Sequence, residues 1–328
     1  GTKRVDGGSI NEWGNTTAET IHLREAHVLI REFLTPEVTF GAGLAPWSFD
    51  IRGKGSSFAF DPRHAQSLTR NRSNVADGAA TFSARAGSPE EMEPVGFWGR
   101  YQRDAIALDL VFLPAVIEGG NPSEDEALYA LDFWYNLDNQ GSRIGAIFAV
   151  SAMGDAGAIS GTESGMFTLG FGATHKGLVQ GLELYAELYF QFGDVGRNAT
   201  DTFDAGGMAF QLGAEYAFQS DLKPWVGLNI TMVSGDDDTS ATDDECQTFL
   251  SYENISDLAI LEDMYFGYDW DTNYFAIKIS GGFSLSVAGG KNNLDISGIV
   301  GICRTSEDVE FGGAVGGEDA LGNEFDVK

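Results

Sequence analysis

The sequence predicts an all-β protein, an antiparallel transmembrane β-barrel with short turns at one end and long acidic loops at the other. Three observations predict it. Apolar side chains recur at every second position, and helical spacing is hard to find anywhere. The clearest segments run about eleven to fifteen residues, longer than a usual globular strand and long enough to cross a bilayer. The connections alternate between tight turns and long polar loops, as in outer-membrane barrels. Counting periodic segments gives roughly thirteen or fourteen strands.

Each element follows from that pattern. Residues 22–32 make an unusually polar first strand, with His22, Arg24, Glu25, His27, Arg31 and Glu32 among Leu23, Val28, Leu29 and Ile30. Ile106, Leu108, Leu110 and Phe112 face away from Asp109, and Tyr129, Leu131, Phe133 and Tyr135 face away from Asp132 and Asn136. Residues 144–153 and 165–175 read as strands whose faces are blurred by Ala and Gly. From 182 to 192 the two faces separate cleanly. Leu182, Leu184, Ala186, Leu188, Phe190 and Phe192 form one wall; Glu183, Tyr185, Glu187, Tyr189 and Gln191 form the other. The pattern repeats with Phe210, Leu212 and Ala214 against Gln211 and Glu215, then with Val226, Leu228 and Ile230 against Asn229 and Thr231. It returns with Phe275, Ile277 and Ile279 against Lys278 and Ser280, and with Leu294, Ile296, Val300 and Ile302 against Asp295 and Ser297. Short connections fall at 176–180, 219–224 and 288–293. Long ones fall at 119–125, 154–164, 193–204 and 235–271.

Alternation alone does not say which solvent each wall meets. A soluble sandwich that binds glycans would pack its apolar faces together; a membrane barrel turns them to lipid and lines its lumen with the polar side. Lipid is favoured by strand length, by aromatics near segment ends (Tyr189, Phe192, Tyr216, Phe218, Trp225 and Tyr274), and by the polarity of the opposite faces. The expected localisation is the bacterial outer membrane.

Composition excludes several classes. The 328 residues carry 20 Lys+Arg against 49 Asp+Glu, a formal charge of −29. That balance argues against nucleic acid, whose phosphates need clustered cations. Residues 1–103 hold 12 basic and 12 acidic residues, while the remainder holds 8 and 37. No apolar run is long enough for a transmembrane helix. The four histidines, His22, His27, His64 and His175, lack paired ligand spacing. There is no nucleophile elbow or phosphate loop either, so an enzyme is not expected. No cofactor is implied. The acidic run Asp236, Asp237, Asp238 is either a solvated loop tip or an irregular calcium site, since carboxylates suit hard cations and no EF-hand loop is present. Cys246 and Cys303 read equally as a loop-to-barrel disulfide in an oxidising compartment or as unrelated thiols.

Residues 24–31 (REAHVLIR), 38–44 (VTFGAGL), 321–327 (LGNEFDV) and above all 181–238, with GLELYAELYFQFGD and KPWVGLNITMVSGDDD, carry a resemblance. The chain resembles the alginate-export family of bacterial outer-membrane β-barrels. That resemblance implies one barrel domain over 1–328, roughly 16–18 strands when complete, with an even count. The sequence stops at Lys328 without an aromatic-ended strand, so the last one or two strands are expected to lie beyond it. The family's arginine-lined lumen implies passage of an exopolysaccharide. This chain departs from it by placing Glu and Asp on its later strands.

The expected function is a porin-like channel for small polar or anionic solutes, with outer-membrane lipid as its surroundings. Candidate lumen and selectivity residues are Arg24, Arg31, Arg52, Lys54, Arg63, Glu183, Glu187, Glu215 and Lys278. The Gly- and Ser-rich stretch around Arg52 and Lys54 reads either as an inward constriction loop or as an ordinary polar loop. The glutamates read either as a field across the pore or as a static ion-paired lining. The rival class is a non-conducting structural barrel whose acidic loops anchor a surface layer or partner proteins. A homo-oligomer is a further expectation.

Overall fold

The structure is a computed structural model. It describes residues 26–44, 49–53, 57–58, 95–115, 126–153, 164–198, 201–220, 222–235, 245–249, 274–287, 292–304, 306 and 324–325. Among these there is no helix. The strands are β1 (Ala26–Ile30), β2 (Val38–Leu44), β3 (Val95–Arg103), β4 (Ile106–Ala115) and β5 (Glu126–Asn136). Next come β6 (Arg143–Met153), β7 (Ser164–Lys176), β8 (Leu182–Asn198), β9 (Asp201–Ala205) and β10 (Met208–Ala217). The last are β11 (Trp225–Val233), β12 (Glu245–Cys246), β13 (Tyr274–Val287), β14 (Asn292–Arg304) and β15 (Glu324–Phe325).

Thirteen strands form one antiparallel meander in which neighbours in sequence are neighbours in space. The short β9 folds back antiparallel on the end of β8, and β12 lies parallel beside β9. Among the described residues β1 does not pair with β14 or β15, so the sheet is not closed there. The order follows from the connections. Residues 31–37, 104–105, 137–142 and 177–181 are short turns at one end of the sheet, where short connections also separate β10 from β11 and β13 from β14. Residues 45–94, 116–125, 154–163, 234–273 and 305–323 join strands at the other end, where the β8–β9 extension also lies. The stretch 193–204, expected as a loop, is therefore largely paired strand. The short β15 pairs with β14 at Cys303 and Arg304.

The two faces meet opposite surroundings. On the outer face Leu110 is 59 % exposed, and Leu131, Phe133, Phe148, Phe171, Leu212, Leu228, Ile279 and Val300 are also exposed. On the inner face Asp109, Asp132, Ser151, Thr168, Glu187, Gln211, Thr231 and Lys278 are buried among Val111, Leu128, Trp134 and Ile147. This is the reverse of a sandwich, which buries its apolar face and leaves the polar one to water. The outer face carries aromatic stacks toward the long-loop end, Phe97–Phe112–Tyr129 and Phe148–Phe167–Phe192. Tyr101, Tyr135 and Phe283 face outward nearer the short turns, where Tyr216 packs edge-on against Phe218. Tyr189 and Tyr274, expected in such a band, instead point inward and are buried, because they fall on the polar parity of β8 and β13. Cys303 is a free, buried thiol, so the bridge to Cys246 is not formed.

The short turns are defined by local chemistry. In 137–142 the Asp138 carboxylate accepts the backbone N–H groups of Gln140 at 2.8 Å and Ser142 at 2.9 Å, an Asx arrangement. Gly141 supplies the left-handed backbone (φ 94°). Ser142 then clasps the next turn, accepting the Lys176 N–H at 3.0 Å and donating to the Lys176 carbonyl at 3.1 Å. Hydrogen bonding from Ser142 first, and from the neighbouring backbone, holds the Asp138 carboxyl below its ordinary range. A lowered folded-state value means that the turn is supported above that range and loses the support as pH falls. Backbone amide shifts of Gln140 and Ser142 are expected to titrate with a midpoint below the ordinary aspartate range, and Asp138→Asn to abolish that titration; a midpoint within or above that range would contradict this.

Candidate functional site

The inner face is occupied by a piece of the chain's own long connection. Between β2 and β3, residues 49–53 and 57–58 lie on the inner surface of β6, β7, β8 and β10. Phe49 and Ile51 are fully buried there, and Phe58 nearly so. Two glycines make the seat. Gly145 and Gly172 face each other across the β6–β7 ladder, and a Cβ on Gly172 would stand 2.6 Å from Ile51 Cγ1. A Cβ on Gly145 would collide with the Ile51 carbonyl oxygen. The wall is thus hollowed where the segment crosses it.

Arg52 is the polar anchor. Its Nε forms an ion pair with Glu187 on β8, and its Nη1 donates to Gln211 Oε1 on β10 at 2.6 Å. The guanidinium lies over the Tyr185 ring, 4.8 Å from its centroid, and its backbone carbonyl accepts the Thr174 hydroxyl at 2.6 Å. Gln211 donates to Thr231 (3.3 Å), Thr231 to Asn229 (2.8 Å), and Asn229 to the Tyr185 hydroxyl (3.2 Å), which closes a circuit beneath the guanidinium. The fully buried Glu187 gains three more donors. Tyr189 gives its hydroxyl at 2.8 Å, Phe58 its N–H at 3.2 Å and Ser57 its hydroxyl at 3.3 Å. A buried carboxylate persists only with such a set. Phe58 packs edge-on against Tyr189, and Phe249, from the β11–β13 connection, packs on Tyr189 at 6.3 Å. Two long connections therefore converge on one tyrosine.

A second cluster lies on β3–β6. Arg100 grips Asp109 with two hydrogen bonds, 2.7 and 2.6 Å. Arg143 donates to Asn136 Oδ1 (3.2 Å) and to the Asp50 carbonyl (3.1 Å), and pairs loosely with the Asp50 carboxylate at 3.8 Å. Both guanidiniums sit against the Trp134 indole, 5.0 and 5.2 Å from its centroid. Further along, Lys176 pairs with Glu183 at 3.1 Å.

The predicted residues divide accordingly. Arg52, Glu183, Glu187, Glu215 and Lys278 all stand on or against the inner face, and Arg52 and Glu187 meet directly. Arg31 does not belong with them: it is exposed in the β1–β2 turn, because β1 ends at Ile30. Arg24, Lys54, Arg63 and the acidic run Asp236, Asp237, Asp238 lie outside the described residues. Among the described residues no group of three or more His, Cys, Asp or Glu is arranged to hold a metal ion. Sequence reading missed Arg100, Trp134 and Arg143 as a unit, and missed Ser57, Gln211 and Tyr189 as partners of the anchor. The in-strand glycines at 145 and 172 were the available signal.

No family model and no curated protein matches the chain in sequence. Among solved structures it is similar to OmpT, an outer membrane protein of Vibrio cholerae folded in vitro and described in its trimer form. The identity is 15 % and the TM-score 0.34, over 71 % of this chain and 78 % of that one. The resemblance to the alginate-export family gains no support from these comparisons.

Proposed function

We propose that the chain forms the wall of an outer-membrane β-barrel and passes small polar solutes through a lumen narrowed by residues 49–53 and 57–58. One observation carries this reading: the exposed face is apolar and banded with aromatics at both ends, while the buried face is a hydrogen-bonded polar lining. Lipid accounts for the first face and an enclosed interior for the second. The seat of Gly145 and Gly172 beneath Ile51 supports a constriction built into the wall. An anionic exopolysaccharide, which the alginate-export resemblance implies, is less well matched, because Arg52, Arg100 and Lys176 are already neutralised by wall carboxylates.

A non-conducting structural barrel is the competing reading, favoured by the complete burial of Phe49 and Ile51 on the inner face. Reconstitution of the full chain in planar bilayers separates the two. Discrete conductance steps support the channel, and a correctly inserted but silent barrel supports the scaffold. Gly172→Val displaces Ile51 from its seat and is expected to raise the step size. An unchanged step would place 49–58 outside the conducting path.

A further inference from the structure

We propose that residues 245–249 form a latch at the long-loop end that keeps the narrowing residues 57–58 seated, acting through the ring of Tyr189. This rests on the channel reading above and adds a regulatory device to it: displacing the latch opens the constriction. The latch is fastened to the wall through its backbone. The Phe249 N–H donates to the Ser234 carbonyl at 3.1 Å, and the Ser234 hydroxyl donates to the Gln247 carbonyl at 2.6 Å. Ser234 Oγ also accepts the Met208 N–H at 2.9 Å, which ties the latch to the start of β10. Gly207 makes room for it, since a Cβ there would stand 2.5 Å from the Phe249 Cα. Glu245 and Gln247 stay exposed, whereas Phe249 is fully buried in one apolar cluster with Tyr189, Ala209 and Val233. Five residues thus run from the water-exposed loop end to the inner core.

Tyr189 is the shared part. Its ring lies over Gly170 on β7, where an added Cβ would collide with it. Phe58 meets the ring edge-on at 5.8 Å between centroids, and Phe249 meets it at 6.3 Å. The Tyr189 hydroxyl lies 2.6 Å from Ser57 Oγ and donates at 2.8 Å to Glu187, the carboxylate that anchors Arg52. A ring packed on several sides, with its hydroxyl held by two partners, has one well-fitted position. Losing Phe249 leaves a cavity beside the ring. The ring relaxes toward that cavity, and its hydroxyl then leaves Ser57 and Glu187. Such coupling runs both ways: whatever unseats Phe249 loosens residues 57–58, and whatever unseats residues 57–58 loosens Phe249.

The test has two arms, both on the full chain. In planar bilayers, Phe249→Ala is expected to raise the occupancy of a larger conductance level about ten-fold, the scale of one aromatic contact. In a Glu187→Ala background the same substitution is expected to change occupancy less than about two-fold, because the path through Tyr189 is already broken. An equal effect in both backgrounds, or none in either, overturns the latch. Heat-modifiable gel mobility verifies folding. Phe249→Leu, which keeps apolar bulk without the ring, takes the place of Phe249→Ala if that variant does not fold. The second arm needs no current. Hydrogen exchange at the Phe249 N–H is expected to quicken several-fold in Glu187→Ala, and unchanged exchange overturns the latch. A silent barrel with quickened exchange overturns the channel reading alone, so the two failures are told apart.

Discussion

Replacing Glu187 with alanine is expected to loosen residues 49–53 and 57–58 from the wall and to open a single-channel level of several-fold higher conductance. The reason lies in what is left behind. Arg52 would keep its buried position against Tyr185 and Gln211 but lose the only carboxylate that neutralises it among the described residues. Removing one partner of a buried ion pair costs about 3–5 kcal/mol, because the other charge stays desolvated and uncompensated. The same change also strands the Tyr189 hydroxyl and the Phe58 N–H, both donors to Glu187. Against this stand the apolar contacts of Phe49, Ile51 and Phe58, which survive the substitution. Desolvating the guanidinium outweighs part of that apolar seating but not all of it, so the segment is expected to flicker between seated and released states rather than leave permanently. Single-channel records would then show a new, larger conductance level. The double variant Arg52→Met, Glu187→Ala removes both charges and should restore a quieter trace, since an apolar side chain at 52 suits its surroundings. A single variant indistinguishable from wild type would mean that the ion pair does not hold the segment.

The sheet itself was legible in the sequence, and for a physical reason. Each strand of a single-layer wall sees two different media, so polarity must alternate residue by residue, as in 182–192 and 225–233. Tight turns then fix the order of strands, since neighbours joined by a few residues have little choice but to pair. The anchor was not legible. Arg52 meets Gln211 across 159 positions of sequence, and nothing local to residues 49–58 says which wall they will reach. The seat was written only as glycines inside strands, which blur the faces of β6 and β7 to a periodicity reading. Once Ile51 is seen above them, Gly145 and Gly172 become the reason those strands read weakly. Tyr189 and Tyr274 were misread for a related cause: aromatics near a strand end suggest an interfacial band, but parity decides the face, and theirs is the inner one.

Leu131→Arg is the substitution that most sharply separates a lipid-facing wall from a water-facing one. Leu131 is exposed at the centre of β5 (Glu126–Asn136) on its outer face, opposite Leu110 on β4, between Tyr129 toward the loops and Tyr135 toward the turns. That places it near the middle of the apolar band. In water, an arginine at a position of this exposure would change stability by roughly 0.5 kcal/mol at most. At a bilayer midplane it costs about 2–4 kcal/mol, a penalty that falls toward the interfaces. Equilibrium unfolding from lipid vesicles is expected to show the larger loss, with Tyr135→Arg, nearer the turns, losing visibly less. The neighbouring position supplies the control. Asp132 stands one residue along the same strand on the inner face, and Asp132→Asn, which removes a buried carboxyl whose Oδ1 has no hydrogen-bond partner among the described residues, should leave stability unchanged or raise it. Adjacent residues on one strand would then respond in opposite directions, as only a wall with lipid on one side and an enclosed polar interior on the other requires. Equal tolerance of arginine at 131 and 135 would instead mean that the apolar face does not meet hydrocarbon.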